Sequence, residues 1–208
     1  MFLIRASSVG KLMASAKSKK PEDLSAGAIT YCKQLAKEFV YSYQKEINSK
    51  YLDKGIICED QSIELYNDVF FTSHIKNTER KETDYLTGEC DINGKDRIID
   101  IKTAWSLDTF PAFKEDVHSS DYEWQGRAYM KLWDKDLFEL AYCLVSTPDD
   151  LTGYESDTLH YVEEIPKELR VTSALYERDK EKEELIEIKC RAAQKFINEA
   201  IQTIAEHH

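Results

Sequence analysis

Two β-rich stretches, residues 85–92 and 97–103, flank Asn93-Gly94, and this short return of the chain constrains the fold more than any other feature. Asn-Gly between apolar runs is a strong hairpin signal. With a loop over 93–96, the hairpin sets Asp91 opposite Ile98 and makes Asp100 its diagonal neighbour on the same face. Diagonal neighbours lie about 7–8 Å apart at Cα, close enough for two carboxylates to share one hard cation. Lys102, two residues past Asp100, points to the same side by the period of a strand. Two carboxylates and an ammonium on one face are costly in a plain core. Around Mg²⁺, which takes oxygen ligands and keeps several waters, the same set is chemically coherent. The cation would acidify a water, and the lysine would orient that water or offset charge on a phosphate. A surface hairpin decorated with charges fits the same spacing, so spacing leaves both readings open.

An acid two residues before a lysine occurs three times, as Glu79–Lys81, Asp100–Lys102 and Glu187–Lys189. The first has polar flanks and reads as a solvated turn. The third falls in a helical pattern, where i and i+2 face different ways. Only the middle pair follows an apolar β run.

The remaining periodicity alternates between helix and strand. Ser7-Ser8 before Val9, Leu12 and Met13 predicts a short capped helix, and residues 15–23 a loop. Ser25 caps a helix reaching about Ile47, with Ile29, Cys32, Leu35, Ala36, Phe39 and Tyr43 on one stripe. A second helix spans roughly 51–68. Strands are expected at 70–75, 85–92 and 97–103, a helix at 121–133, and strands at 137–146, 154–165 and 169–177. A helix over 180–205 closes the chain, its apolar residues Ile186, Cys190, Ala193, Ile197, Ala200 and Ile204 spaced 4-3-4-3-4. This order predicts an α/β fold with a mixed central β-sheet flanked by helices.

At 208 residues and 42% apolar, the chain reads as one domain, 1–208, able to bury its own core. Its net charge of −11 argues against a polybasic nucleic-acid binder or a membrane-surface protein. It does not exclude an enzyme that holds cations, since a carboxylate-rich site carries its counter-charge in the metal. The charge is also uneven: residues 1–50 hold nine Lys or Arg against four Asp or Glu, a balance of +5, which leaves −16 for the rest. Five scattered cysteines without a CxxC pair read as reduced, partly buried small hydrophobes of an intracellular protein. The start, Met1-Phe2-Leu3-Ile4-Arg5, is too short for a signal-peptide core, and no apolar run approaches the ~18 residues of a spanning helix. No Gly-rich phosphate loop supports ATP use. His74, His118 and His160 lie in no metal-ligand spacing.

Gly88-Glu89-Cys90-Asp91 followed by Asp100-Ile101-Lys102 resembles the motif of the PD-(D/E)XK nuclease superfamily. The wider pattern resembles its lambda-type and YqaJ-type phage recombination exonucleases. Arg5-Ala6-Ser7-Ser8-Val9 is similar to that branch's N-terminal element at the DNA 5′ end. Gly55-Ile56-Ile57-Cys58-Glu59 is similar to its helical Gly-x-x-x-Glu, and Tyr122-Glu123-Trp124-Gln125 to its Tyr-x-x-Gln helix. The elements occur in the family's order over roughly residues 4–133.

The resemblance implies a restriction-endonuclease-like fold. It also implies an ATP-independent DNA exonuclease that uses Mg²⁺ or Mn²⁺ to resect one strand of duplex ends, 5′ to 3′, for single-strand-annealing recombination. Asp91, Asp100 and Glu59 would hold metal, and Lys102 would aid the nucleophile. Gln125 would contact the scissile region or order the lysine, and Arg5, Ser7 and Ser106 would bind DNA. Glu89, beside Asp91, stays open as an extra ligand. Double-stranded DNA ends, a single-strand annealing protein and a homotrimeric assembly are the implied partners. The setting would be the cytoplasm of a bacterial host carrying the phage or prophage. The alternatives are a structure-selective endonuclease of the same fold and a non-catalytic DNA-binding module.

Overall fold

A computed structural model describes residues 2–44 and 49–206. Strand β1 (Ile4–Arg5) leads into a 3₁₀ helix (Ala6–Leu12), and helix α1 (Ala26–Val40) follows an irregular stretch. Ser25 caps α1 as expected, its Oγ accepting from the Ala28 N–H at 3.2 Å. The expected continuation to Ile47 does not form: α1 ends at Val40, residues 41–44 are turn or irregular, and Ser42 adopts a left-handed φ of 50°. Residues 45–48, His207 and His208 lie outside the described residues. Ser7 and Ser8 do not cap the first turn. They lie inside the 3₁₀ helix, and Arg5 occupies the cap position.

The helix expected over 51–68 is two, α2 (Lys50–Ile57) and α3 (Glu59–Phe70), separated at Cys58. A strand at 70–75 does not form. Phe71 adopts a left-handed conformation (φ 53°) that ends α3, and the Asn67 side chain then bonds Thr72 and both backbone groups of His74. Those groups are thereby unavailable to a sheet.

Strands β2 (Lys81–Glu82) and β3 (Leu86–Gly88) join β1 in a three-stranded sheet of order β1-β3-β2. The chain then crosses Glu89–Asp91 into a four-stranded sheet of order β4-β5-β6-β7, built from β4 (Ile92–Asn93), β5 (Arg97–Thr103), β6 (Leu137–Cys143) and β7 (Val171–Glu177). Both sheets are mixed: β1 is parallel to β3 and β5 to β6, and the other pairs are antiparallel. The stretch expected as one strand over 85–92 is thus divided between the two sheets.

The hairpin differs from expectation by two residues. Ile92 pairs with Ile99 and Asn93 with Ile98. Continued one residue outward, that register sets Asp91 across from Asp100 rather than diagonal to it. Parity is unchanged, so both acids keep a common face. Asn93 belongs to the strand and residues 94–96 make the loop. A Cβ on Gly94 would lie 2.8 Å from the Arg97 carbonyl oxygen, so only glycine fits this closure.

A 3₁₀ turn (Lys114–Val117) precedes α4 (Ser120–Trp133). The region expected as a strand at 154–165 holds instead a single helical turn, α6 (Asp157–His160), preceded by another, α5 (Asp149–Thr152), and by exposed Tyr154. Its backbone bonds go to loops: Leu107 N–H to the Leu159 carbonyl, and Thr147 N–H to the His160 carbonyl. β6 already has β5 and β7 on its two edges, which leaves this segment no place beside it. A third 3₁₀ turn (Lys167–Leu169) leads into β7, and α7 (Lys180–Glu206) closes the described chain.

Strand alternation sorts β5 between two cores. Ile98 joins Phe138, Leu140, Met130 and the α7 residues Ile186, Cys190, Ala193 and Ile197. Ile99 and Ile101 join Ile63, Leu65 and Tyr66 of α3 on the opposite face. All five cysteines are buried and free. Among the described residues no helix is long and apolar enough to cross a membrane.

Helix α4 lies unusually close to β6. A Cβ on Gly126 would fall 2.1 Å from the Phe138 ring, which is fully buried and has no room to yield. Gly126→Ala is therefore expected to cost about 1–3 kcal/mol by overpacking, a fall in Tm of roughly 3–10 °C for a domain of this size. Differential scanning calorimetry checks it, and a Tm unchanged from the parent would contradict the packing described.

Candidate active site

Asp100 lies mid-strand on β5, 1% exposed, on the face that meets α4. Gln125, also buried, donates from Nε2 to Asp100 Oδ1 at 2.8 Å and to the Tyr129 hydroxyl at 3.2 Å. Lys102 Nζ lies 2.6 Å from Asp100 Oδ2, but off the hydrogen-bonding direction, so this buried oxygen has a charge partner and no directed hydrogen bond. The Lys102 ammonium also stands 4.6 Å from the centre of the Tyr122 ring, a cation–π position. Tyr122 and Tyr129 lie three residues before and four after Gln125, so one face of α4 presents all three to β5.

Asp91 sits where the chain leaves one sheet for the other. Its Oδ2 accepts the Ile101 N–H at 2.7 Å, tying it to β5 beside Asp100. Burial, and after it the Asp100 charge, pushes the Asp91 carboxyl up to about 7. The Lys102 ammonium and the Ile101 N–H only partly offset this. Burial works against the Lys102 charge, yet the Asp100 and Asp91 charges outweigh it and hold the ammonium above the ordinary lysine range. The cluster holds more acid than its own cation balances.

Glu59 opens α3 and is partly exposed, its Oε2 lying 2.5 Å from Lys76 Nζ. The Glu59 charge also raises the Asp91 pKa, though less than Asp100 does. Among the described residues no three His, Cys, Asp or Glu side chains gather closely enough to enclose a metal by themselves. Asp91 and Asp100 nevertheless fit a hard divalent cation: Asp100 keeps a buried oxygen short of hydrogen bonds, and Mg²⁺ is commonly held by one or two carboxylates plus water.

The structure thus brings Asp91, Asp100, Lys102 and Gln125 together and sets Glu59 at their edge. Gln125 is bonded to Asp100, whose other oxygen faces Lys102. Glu89 is drawn into an ion pair with Arg80 at 3.0 Å. Arg5 and Ser7 are exposed around the start of the first 3₁₀ turn. Ser106 does not fit its expected DNA contact: it is 1% exposed, and its hydroxyl bonds Asp108 and Thr109 within its own turn.

Sequence reasoning missed Lys76, the Ile101 N–H and Lys54. The last is fully buried in α2 and donates to the carbonyls of Ala104, Trp105 and Val145, each at 2.8 Å, which pins α2 to the ends of β5 and β6. No spacing rule signals these three, because each is, or binds, a backbone group or comes from an irregular segment. Tyr122 and Tyr129 could have been found from their helical spacing around Gln125.

The raised Asp91 carboxyl carries a stability consequence. Folded protein retains a proton up to about pH 7, whereas the unfolded chain releases it near its ordinary value of about 3.9. Metal-free stability should therefore fall as pH rises through that window. Asp91→Asn keeps an acceptor for Ile101 and removes the charge. Its Tm in chelator at pH 8 should exceed the parent's by several degrees, and the slope between pH 5 and 8 should flatten. Thermal melts across that range test this; a variant with the parental slope would exclude Asp91 as its source.

The whole chain resembles known structures in fold. A phage-related exonuclease from Haemophilus somnus matches with a TM-score of 0.90 and 32% identity, over 100% of this chain and 97% of that one. An alkaline exonuclease from Laribacter hongkongensis matches with a TM-score of 0.71 and 17% identity, over 99% of this chain and 92% of that one. The latter was also solved in complex with dAMP, and that structure matches over the same shares with a TM-score of 0.71 and 15% identity. No protein-family model and no curated relative matches the sequence.

Proposed function

The chain belongs to the lambda/YqaJ-type phage-related exonucleases of the PD-(D/E)XK superfamily, and on that premise we propose that it is a metal-dependent, ATP-independent exonuclease of duplex DNA ends. The observation that carries this reading is the Asp91, Asp100, Lys102 and Gln125 cluster, with its excess of carboxylate and its one under-bonded buried oxygen. Asp91 and Asp100 would hold a divalent cation, Mg²⁺ or Mn²⁺, which when bound would supply charge at the phosphodiester and acidify water. Glu59 assists from the edge of the site.

Within the chain the roles divide by partner. Gln125 holds Asp100 in one rotamer, leaving Oδ2 toward Lys102. The Ile101 N–H does the same for Asp91, leaving Oδ1 open. Lys102, its side chain 23% exposed, orients the attacking water or offsets charge on the phosphate. Exposed Arg5 and Ser7 bind the DNA end. Resection runs 5′ to 3′ and feeds single-strand annealing, with an annealing protein as partner, a homotrimer as the assembly and the host bacterial cytoplasm as the setting.

Linear duplex labelled separately at each 5′ and 3′ end, with and without a 5′-phosphate, tests the reading. Label should be released from the 5′ end with Mg²⁺ or Mn²⁺, and chelator should abolish release. Asp100→Ala and Lys102→Ala should each lower the rate at least ~100-fold. Variants that digest ends at the parental rate would sink the catalytic assignment. Internal cuts would favour a structure-selective endonuclease. Absence of cleavage of linear or nicked DNA by the intact chain would favour a DNA-binding module.

A further inference from the structure

Residues 72–79 form no helix or strand, yet the segment is clamped at both ends. On the α3 side, Asn67 Nδ2 donates to the His74 carbonyl, and Asn67 Oδ1 accepts from the His74 N–H and the Thr72 hydroxyl, each at 2.8 Å. On the hairpin side, the Asn77 N–H donates to the Asp91 carbonyl at 2.7 Å, and Asn77 Nδ2 donates to the Cys90 carbonyl at 3.1 Å. The segment therefore bridges the helix that carries Glu59 and the strand entry that carries Asp91. Lys76 stands between the clamps with its ammonium on Glu59.

Three acids act on that ammonium. The hydrogen bond to Glu59 raises its pKa first, and the charges of Glu59, Asp60 and Asp91 add to it against a burial cost. The pair lies at the mouth of the site, the lysine side chain 45% and the glutamate 23% exposed. Exposed ion pairs are weak, about 0–1 kcal/mol, so a divalent cation drawing on the same oxygen can displace the lysine. The clamped backbone keeps the displaced ammonium close by.

We infer that Lys76 is the counter-cation of the metal site: it holds Glu59 while metal is absent and yields that carboxylate when a divalent cation binds. This rests on the metal-dependent reading above, and Lys76 acts as a positioning residue. Glu59 is the acid at the edge of the cluster, and the lysine that occupies it is held there by backbone bonds on either side.

Calorimetric titration of Mn²⁺ into the full chain without DNA separates the two ideas. Parent protein that binds no Mn²⁺ would overturn the metal-dependent reading and this inference with it. Given parental binding, Lys76→Met should bind Mn²⁺ about three- to five-fold more tightly, the gain expected from removing an exposed competitor. Lys76→Arg, which keeps the ion pair, should stay near the parent. In a Glu59→Gln background, where Asp91 and Asp100 still offer ligands, Lys76→Met should change Mn²⁺ affinity little. Unchanged or weaker Mn²⁺ binding by Lys76→Met, with a parental circular dichroism spectrum, would overturn the inference. So would equal tightening in both backgrounds, because the lysine would then act as a general field rather than through Glu59.

Discussion

Asp100 is a carboxylate in the middle of a strand whose neighbours on both sides are isoleucines. An unmatched charge at such a place costs several kcal/mol, so the surrounding structure is arranged to match it. One oxygen is taken by Gln125, and the other faces Lys102. The first partner requires α4 to lie hard against the sheet, which the Gly126–Phe138 contact makes possible. The second requires an ammonium to stay at the edge of the same face, where the Tyr122 ring supports it. The position of the helix, its glycine and its aromatic face all serve the partners of one buried carboxylate.

Asp91 shows the other side of this arrangement. It draws one backbone N–H from the strand beside it and otherwise sits against the charge of Asp100. The site thus stores electrostatic repulsion that a plain core would not tolerate, as functional sites commonly do at the expense of stability. Around it the protein is more ordinary. Lys54 ties α2 to the ends of two strands through three carbonyls, and Glu89 and Glu59 are both taken by basic side chains of the 76–80 segment. The net charge of −11 is therefore a poor guide to the site itself. Its local balance is set by which lysines and arginines reach the cluster.

Much of this is legible in the order of the residues. The period of α7 and the cap of α1 are local patterns: α7 forms where periodicity places it and α1 starts at Ser25, although α1 ends at Val40 rather than near Ile47. The hairpin and the common face of Asp91, Asp100 and Lys102 survive a two-residue error in register, because a shift of two preserves the face. The elements misread are those whose backbone bonds are taken by distant groups. Residues 70–75 and 154–165 carry strand-like patterns, but Asn67 and the loops after β5 and β6 claim their amides and carbonyls. Ser106 is a related case: a hydroxyl after β5 can be read as a phosphate contact, yet its own turn binds it.

The sequence by itself determined the chemistry available: two acids and a lysine on one side of a hairpin, with a glutamine helix to follow, because strand and helix periods are properties of a few adjacent residues. Tertiary structure alone decided who partners whom. Gln125 serves Asp100 rather than Lys102, the Ile101 N–H serves Asp91, and Lys76 arrives at Glu59 from an irregular segment. Those assignments depend on distances between elements far apart in the chain, set by a glycine against a buried ring and by side-chain amides clamping loops. No local pattern encodes them.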